Sequence, residues 1–370
     1  MKQRLLAIVL VMFGLHTLAQ NAAPSVNYEY NLFNNTNAEV KIAEPLVFQS
    51  NANFWQAELQ RNAKNEQAWI NYYQAVKFES FEEHSRDVDD ATQAKLDKIL
   101  ADTKQNVANS FADNYLSYLN AGNKSQQSLA LLEKAYAINP NFVEIWDDML
   151  FKYYSEGSTK KVKELSAKLF ESGVYTSGLM EYNQNVLNSI APNGILVTYG
   201  NVDSYPLLIW QQHFNIRTDI TIICLDWLSN EKYAKSISSK TKIKQNQIFG
   251  VSESAALEAI TKQGKQVYFS LTLPPQFSKK FSNELYCTGL AMLYSKIPVA
   301  NVQSLKSNWE QLFKKDYIQS FEDINRNYLI PLVILYQSEQ DVTKKADYKL
   351  WIEQIAERYG ESTTTKKFVR

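Results

Sequence analysis

Between Gly14 and Gly122 the chain has no glycine at all, and only 11 occur among its 370 residues. Glycine inside a helix costs roughly 1 kcal/mol relative to alanine, so a long stretch without it suits long helices. The same scarcity removes two common phosphate-binding loops. No two glycines are separated by a single residue, so a Gly-x-Gly dinucleotide turn cannot form. Gly173 and Gly178 have P-loop spacing, but Leu179 and Met180 stand where lysine and serine or threonine are required. With 45% hydrophobic and 21% charged residues the chain is globular.

Charge excludes a further class. Lys plus Arg and Asp plus Glu number 39 each, so no overall excess favours nucleic acid or acidic lipid. The first residues read as an export signal: Lys2 and Arg4, an apolar run from Leu5 to Leu15, then Thr17-Leu18-Ala19 before Gln20. The apolar run is shorter than the roughly 20 residues a spanning helix needs. Cleavage after Ala19 would leave a mature net charge of −2. The expectation is a periplasmic protein, not a lipoprotein because no cysteine lies near the cleavage site, and with no integral membrane segment. Cys224 and Cys287 are the two cysteines; an oxidising compartment permits a disulfide, and two buried thiols fit equally. His84 and His213 are not clustered with other ligands, so no metal site and no cofactor is expected.

Residues 20–48 are polar and asparagine-rich and read as an extended arm. Residues 49–190 are helical in pattern. Trp69, Tyr72, Tyr73 and Val76 recur at helical spacing, as do Tyr115, Tyr118 and Leu119. The clearest segment runs Leu132, Ala135, Tyr136 and Ile138 into Asn139-Pro140-Asn141, then Trp146, Met149, Leu150 and Tyr153, with Gly157 placed as a helix C-cap. Helix, Asn-Pro turn and helix around a small Ala135 resembles a degenerate tetratricopeptide repeat. That likeness implies a surface for protein segments, with Trp69, Tyr72, Trp146 and Tyr153 as candidate interface residues; aromatic core stripes are the structural alternative.

Near residue 190 the period changes. Gly194 to Tyr199, Asp219 to Leu225 and Gln266 to Leu271 read as strands. Helices at Leu207 to Phe214, Glu231 to Ile237 and Glu253 to Lys262 separate them. Residues 191–304 are therefore expected to form a small three-stranded parallel α/β domain. Residues 305–370 return to helices, with Tyr317 to Tyr336 read as one and Ala346 to Tyr359 as another. The fold class is α plus α/β: tetratricopeptide-like repeats, a small α/β domain and a helical C-terminal segment.

Asn193-Gly-Ile-Leu-Val-Thr-Tyr-Gly-Asn-Val-Asp-Ser-Tyr-Pro-Leu-Leu208, followed by Asn215-Ile-Arg-Thr-Asp-Ile220, resembles the soluble C-terminal region of Bacteroidota protein O-mannosyltransferase-like membrane proteins. Leu225-Asp-Trp-Leu228, Tyr286-Cys-Thr-Gly-Leu290 and Asn325-Arg-Asn-Tyr328 extend the likeness over about 190–335. The membrane-spanning transferase part has no counterpart here, so the resemblance implies a fold and a Bacteroidota envelope setting, not glycosyl transfer.

In open α/β sheets ligands sit beyond the carboxyl ends of the strands. Those ends offer Thr198, Tyr199, Asn201 and Asp203, then Asp226 and Trp227, then Ser270 and Thr272. The helix after Gly200 could present free N–H groups to an anion. Against a ligand role, Asp203 or Ser204 suits an N-cap and Pro206 a first helical turn. His213 lies ten residues after Asp203 on one helix, too far for an Asp–His catalytic pair, and Ser204 lacks a nucleophile elbow. The leading expectation is a non-enzymatic interaction scaffold, accessory to an outer-membrane-associated assembly for secretion or outer-membrane protein insertion, with other envelope proteins as partners and no nucleic acid. Its rivals are a carbohydrate- or nucleotide-sugar-acting enzyme and a module for a small anionic ligand.

Overall fold

The computed structural model describes residues 45–79, 88–122 and 125–369. The signal, most of the arm and His84 lie outside the described residues. The chain falls into two compact units that divide between Leu165 and Ser166.

The first unit is helical: α1 (Pro45–Arg61), α2 (Glu66–Glu79), α3 (Asp90–Val107), α4 (Phe111–Ala121), α5 (Gln126–Ile138) and α6 (Trp146–Ser155). The start of α1 falls inside the segment read as an arm, so residues 45–48 are helical rather than extended. Side-chain caps fix the starts of α3, α4 and α5, where Asp89, Ser110 and Ser125 accept from Thr92, Asp113 and Ser128 N–H groups. Each helix packs on its sequence neighbour, and α2 also meets α4. Two tryptophans make the same bond. The Trp69 indole N–H donates to the Ala63 carbonyl and the Trp146 indole to the Pro140 carbonyl, each six residues back, at 3.0 and 2.9 Å. Each ring thereby ties the turn before its helix to the helix itself. Gly157 ends α6 as expected: at φ +71° its N–H reaches Tyr154 O while Ser158 N–H reaches Tyr153 O, which satisfies two end carbonyls.

The division falls within α7 (Thr159–Ser172), and α8 (Ser177–Asn188) follows in the second unit. There β1 (Ile195–Thr198), α9 (Asn201–Gln212), β2 (Thr221–Cys224), α10 (Glu231–Thr241), α11 (Glu253–Thr261) and β3 (Val267–Ser270) alternate. The short α12 (Pro275–Ser278), β4 (Leu285–Cys287) and β5 (Ala291–Tyr294) follow, then α13 (Asn301–Ser307), α14 (Leu329–Ser338), α15 (Val342–Arg358) and α16 (Ser362–Thr365). The sheet is five-stranded and mixed, in the order β2-β1-β3-β5-β4. β2, β1 and β3 are parallel, as expected; β5 and β4 add an antiparallel pair. The three-stranded expectation fails because Leu285–Cys287 and Ala291–Tyr294, not read as strands, pair antiparallel with each other, and the second of them with β3. The segment from Tyr317 to Tyr336 is likewise not one helix. Asn325 folds its start back, donating to the Tyr317 carbonyl and the Ser320 hydroxyl, and regular α-helix begins only at Leu329.

The cysteines are free and buried. They lie on β2 and β4, the two edges of the sheet, four strand spacings or about 19 Å apart, whereas a disulfide needs Cα atoms within about 7 Å. Among the described residues no helix is long and apolar enough to cross a membrane.

One buried asparagine joins α8 to the C-terminal segment. Asn185 donates to the Lys314 carbonyl at 2.6 Å and to the Tyr328 hydroxyl at 2.8 Å, and accepts from Lys314 N–H at 2.8 Å. Asn327 reaches the Tyr182 hydroxyl beside it. Asn185→Ala would strand three partners in an apolar setting, so it should cost about 2–4 kcal/mol in urea unfolding; a loss below about 0.5 kcal/mol would show that water replaces these bonds freely.

Candidate functional site

β1 ends at Thr198, in register with Cys224 at the end of β2, while Ser270 closes β3 on its other side. The chain leaves β1 towards β2 and then crosses back to β3. Their carboxyl ends therefore flank a topological switch point, the usual ligand crevice of open parallel sheets.

What gathers there is a hydroxyl and carboxyl cluster. The Thr198 and Ser204 hydroxyls are 2.8 Å apart, and the Ser270 and Thr272 hydroxyls form a very short contact. The Asp203 carboxyl reaches from α9 to the Thr272 and Ser270 hydroxyls and to the Tyr199 amide. It is 4% exposed, yet its Oδ2 has no hydrogen-bond partner. Burial raises Asp203 to about 6, against the pull of those donors, and the neighbouring acid Asp226 adds to the rise. Asp226 Oδ1 accepts from the Gly200 N–H at 3.2 Å and the Cys224 thiol at 2.7 Å. Burial and that carboxylate push the Cys224 thiol far up, so it is an inert neutral group.

Several expectations need correction. Asp203 and Ser204 are not N-caps. Gly200 holds that position at φ +83°, α9 begins at once with Asn201, and Asp203 is its third residue. Pro206 accordingly lies in the second turn rather than the first, inside the helix. The anion reading also loses its basis: Asp226 accepts the Gly200 N–H and Asp203 occupies the first turn, so the helix's positive end already faces two carboxyls. Trp227 is buried at 5.0 Å from Tyr205 and 5.6 Å from Tyr233, ring to ring, and serves the core. Asn201 is exposed at the rim. Sequence reasoning omitted Cys224 from the site and gave Ser278 no role, although Ser278 is fully buried with its hydroxyl unpaired. His213 caps the far end of α9 against Phe170 and Phe214, clear of Asp203.

Beneath the site Arg217 braces the sheet. It pairs with Asp219 at 2.9 Å and donates to the carbonyls of Leu187 and Ile190, and Asp219 also accepts from Asn193 N–H. Arg217 holds the Asp219 carboxyl down at about 2.

The helical unit has its own polar face where α2, α4 and α6 meet. Tyr118 of α4 bonds the Asp148 carboxyl of α6, and Lys77 of α2 attracts it. Burial nevertheless raises Asp148 to about 6 and lowers Lys77. Of the candidate interface residues, Trp69 is buried and committed to Ala63, which removes it from any surface. Trp146 and Tyr72 are half-buried, and Tyr153 lies half-exposed beneath Lys161 Nζ at 4.6 Å.

The raised Asp203 has a signed consequence. Its folded value lies above the unfolded one, so the charged form opposes folding: stability falls as pH rises from about 4 to 6, and the full penalty applies above. Asp203→Asn should leave stability unchanged at pH 4 and raise it at pH 7.5 by about 2 kcal/mol in denaturant titrations; equal effects at both pH values would contradict the burial described.

Residues 179–249, from α8 through α10, match the family described as TMEM260-associated domain 2. Comparison with curated proteins and with solved structures gave no match. The matched segment holds β1, α9 and β2, hence Thr198, Asp203, Cys224 and Asp226, while Ser270 and Thr272 lie beyond it. This agrees with the resemblance carried by the Asn193–Ile220 sequence.

Proposed function

We propose that this chain is an exported envelope protein that holds other proteins, an accessory subunit of an outer-membrane-associated assembly for secretion or outer-membrane protein insertion. The observation that carries the reading is the repeated tryptophan bond. Trp69 and Trp146 lock the turns before α2 and α6 in the same way, which supports helix pairs of one kind stacked side by side. Stacked helix pairs of this kind leave a face available for a partner segment. Tyr72 and Tyr153 are the aromatic groups best placed to engage it, because tyrosine gives a large apolar area with a polar tip at low entropic cost.

The test is recovery of the tagged full-length protein from detergent-solubilised native envelopes. A stoichiometric partner should accompany it, and the double variant Tyr72→Ala, Tyr153→Ala should lose that partner by tenfold or more with its helical circular dichroism intact. Recovery of the protein alone would overturn the proposal.

A second reading, a carbohydrate- or nucleotide-sugar-acting enzyme, is favoured by one observation: a buried carboxyl near 6 is within range for general acid–base work. It requires that Asp203→Asn and Asp226→Asn abolish turnover of an activated sugar while partner recovery stays unchanged.

A further inference from the structure

The strand-end cluster poses a chemical problem that the interaction reading does not use. At neutral pH a carboxyl that titrates near 6 is mostly ionised, and an ionised buried carboxylate with an unpaired oxygen is costly unless something donates to it. Asp203 Oδ2 is such an oxygen. The other charge acting on that carboxyl is a second acid, Asp226, so the local field is negative. Beside the carboxyl stand the hydroxyls of Ser270 and Thr272, which can also accept. At the same end of the sheet the half-buried Tyr199 ring packs 5.2 Å from Phe277, ring to ring.

The geometry points to a binding site for a small organic cation bearing a primary ammonium, seated at the carboxyl ends of β1 and β3 with Asp203 as its anchor. Three features select this class. A phosphate or carboxylate would meet two acids at a helix end they already neutralise. An uncharged polyol could donate to the carboxylate but would leave its buried charge uncompensated, whereas an ammonium supplies both the donor and the opposite charge. A metal ion calls for more ligands than are gathered here: among the described residues no group of three His, Cys, Asp or Glu side chains could hold one.

Ethanolamine is the probe, because it carries one ammonium and one hydroxyl; ethylene glycol is its uncharged counterpart and calcium chloride the metal control, all at matched ionic strength on the full-length protein. At pH 7.5 ethanolamine should raise the melting temperature saturably, while ethylene glycol and calcium should not. Asp203→Asn keeps the shape and removes the charge, and should weaken ethanolamine at least tenfold. Thr272→Val should weaken it less, by about threefold, and serves as the reading if Asp203→Asn does not fold. No saturable shift with ethanolamine, equal shifts from ethylene glycol, a shift from calcium alone, or an ethanolamine shift untouched by both substitutions would each overturn the assignment.

Discussion

β1 is the strand on which the α/β unit depends, because it pairs in parallel with β2 on one side and β3 on the other. All four of its residues are buried, so a one-residue slip would exchange side chains between two packed faces. That double pairing sets Thr198, Cys224 and Ser270 at one end of the sheet. It also obliges α9 to start within three residues of β1, with Gly200 making the turn at a positive φ. Asp203, one turn into the helix, is then carried across towards β3. The acidic cluster is thus a product of sheet order and a short connection rather than of any local motif.

The opposite end of the sheet is secured by charge and amide bonds that oppose fraying. Arg217 links the end of α8 to the approach of β2 through two carbonyls and Asp219. Asn185 and Asn327 tie α8 to the segment before α14, a helix whose residues from Leu329 to Tyr336 are all buried. Hence the stretch from Asn325 to Tyr328 acts as structural mortar: Asn327 and Tyr328 bond polar groups of α8, while Asn325 holds the turn before them. In the helical unit indole bonds do comparable work, each fixing a turn to the helix it precedes.

Much of this was legible in the sequence, and for physical reasons. Three four-residue strands were found because each is a continuous apolar run bounded by Asn-Gly, Asp or Pro-Pro. Gly157 was recognised as a C-cap because only a residue tolerant of positive φ ends a helix that way. What escaped was non-local. β5 is as long as the strands that were read, but its antiparallel partners β3 and β4 come beside it only in the folded sheet. The helix start was placed late because Asp203 looks like a cap, and nothing in the sequence shows that Gly200 already turns the chain. The strand-end residues were named as ligand candidates, but the unpaired oxygen of Asp203 and the inclusion of Cys224 follow only from the parallel pairing. Trp69 was offered as a surface residue because its spacing is repeat-like; its indole bond to Ala63 shows that the same spacing serves the core.

The claim on which the rest turns is that Asp203 is buried and incompletely satisfied at the switch point of the sheet. Carbon-13 NMR of the Asp203 carboxyl, followed through pH in the full-length protein, tests it most directly. The structure calls for an apparent pKa of about 6. A value near 3.8, the ordinary position for a solvated aspartate, would contradict it.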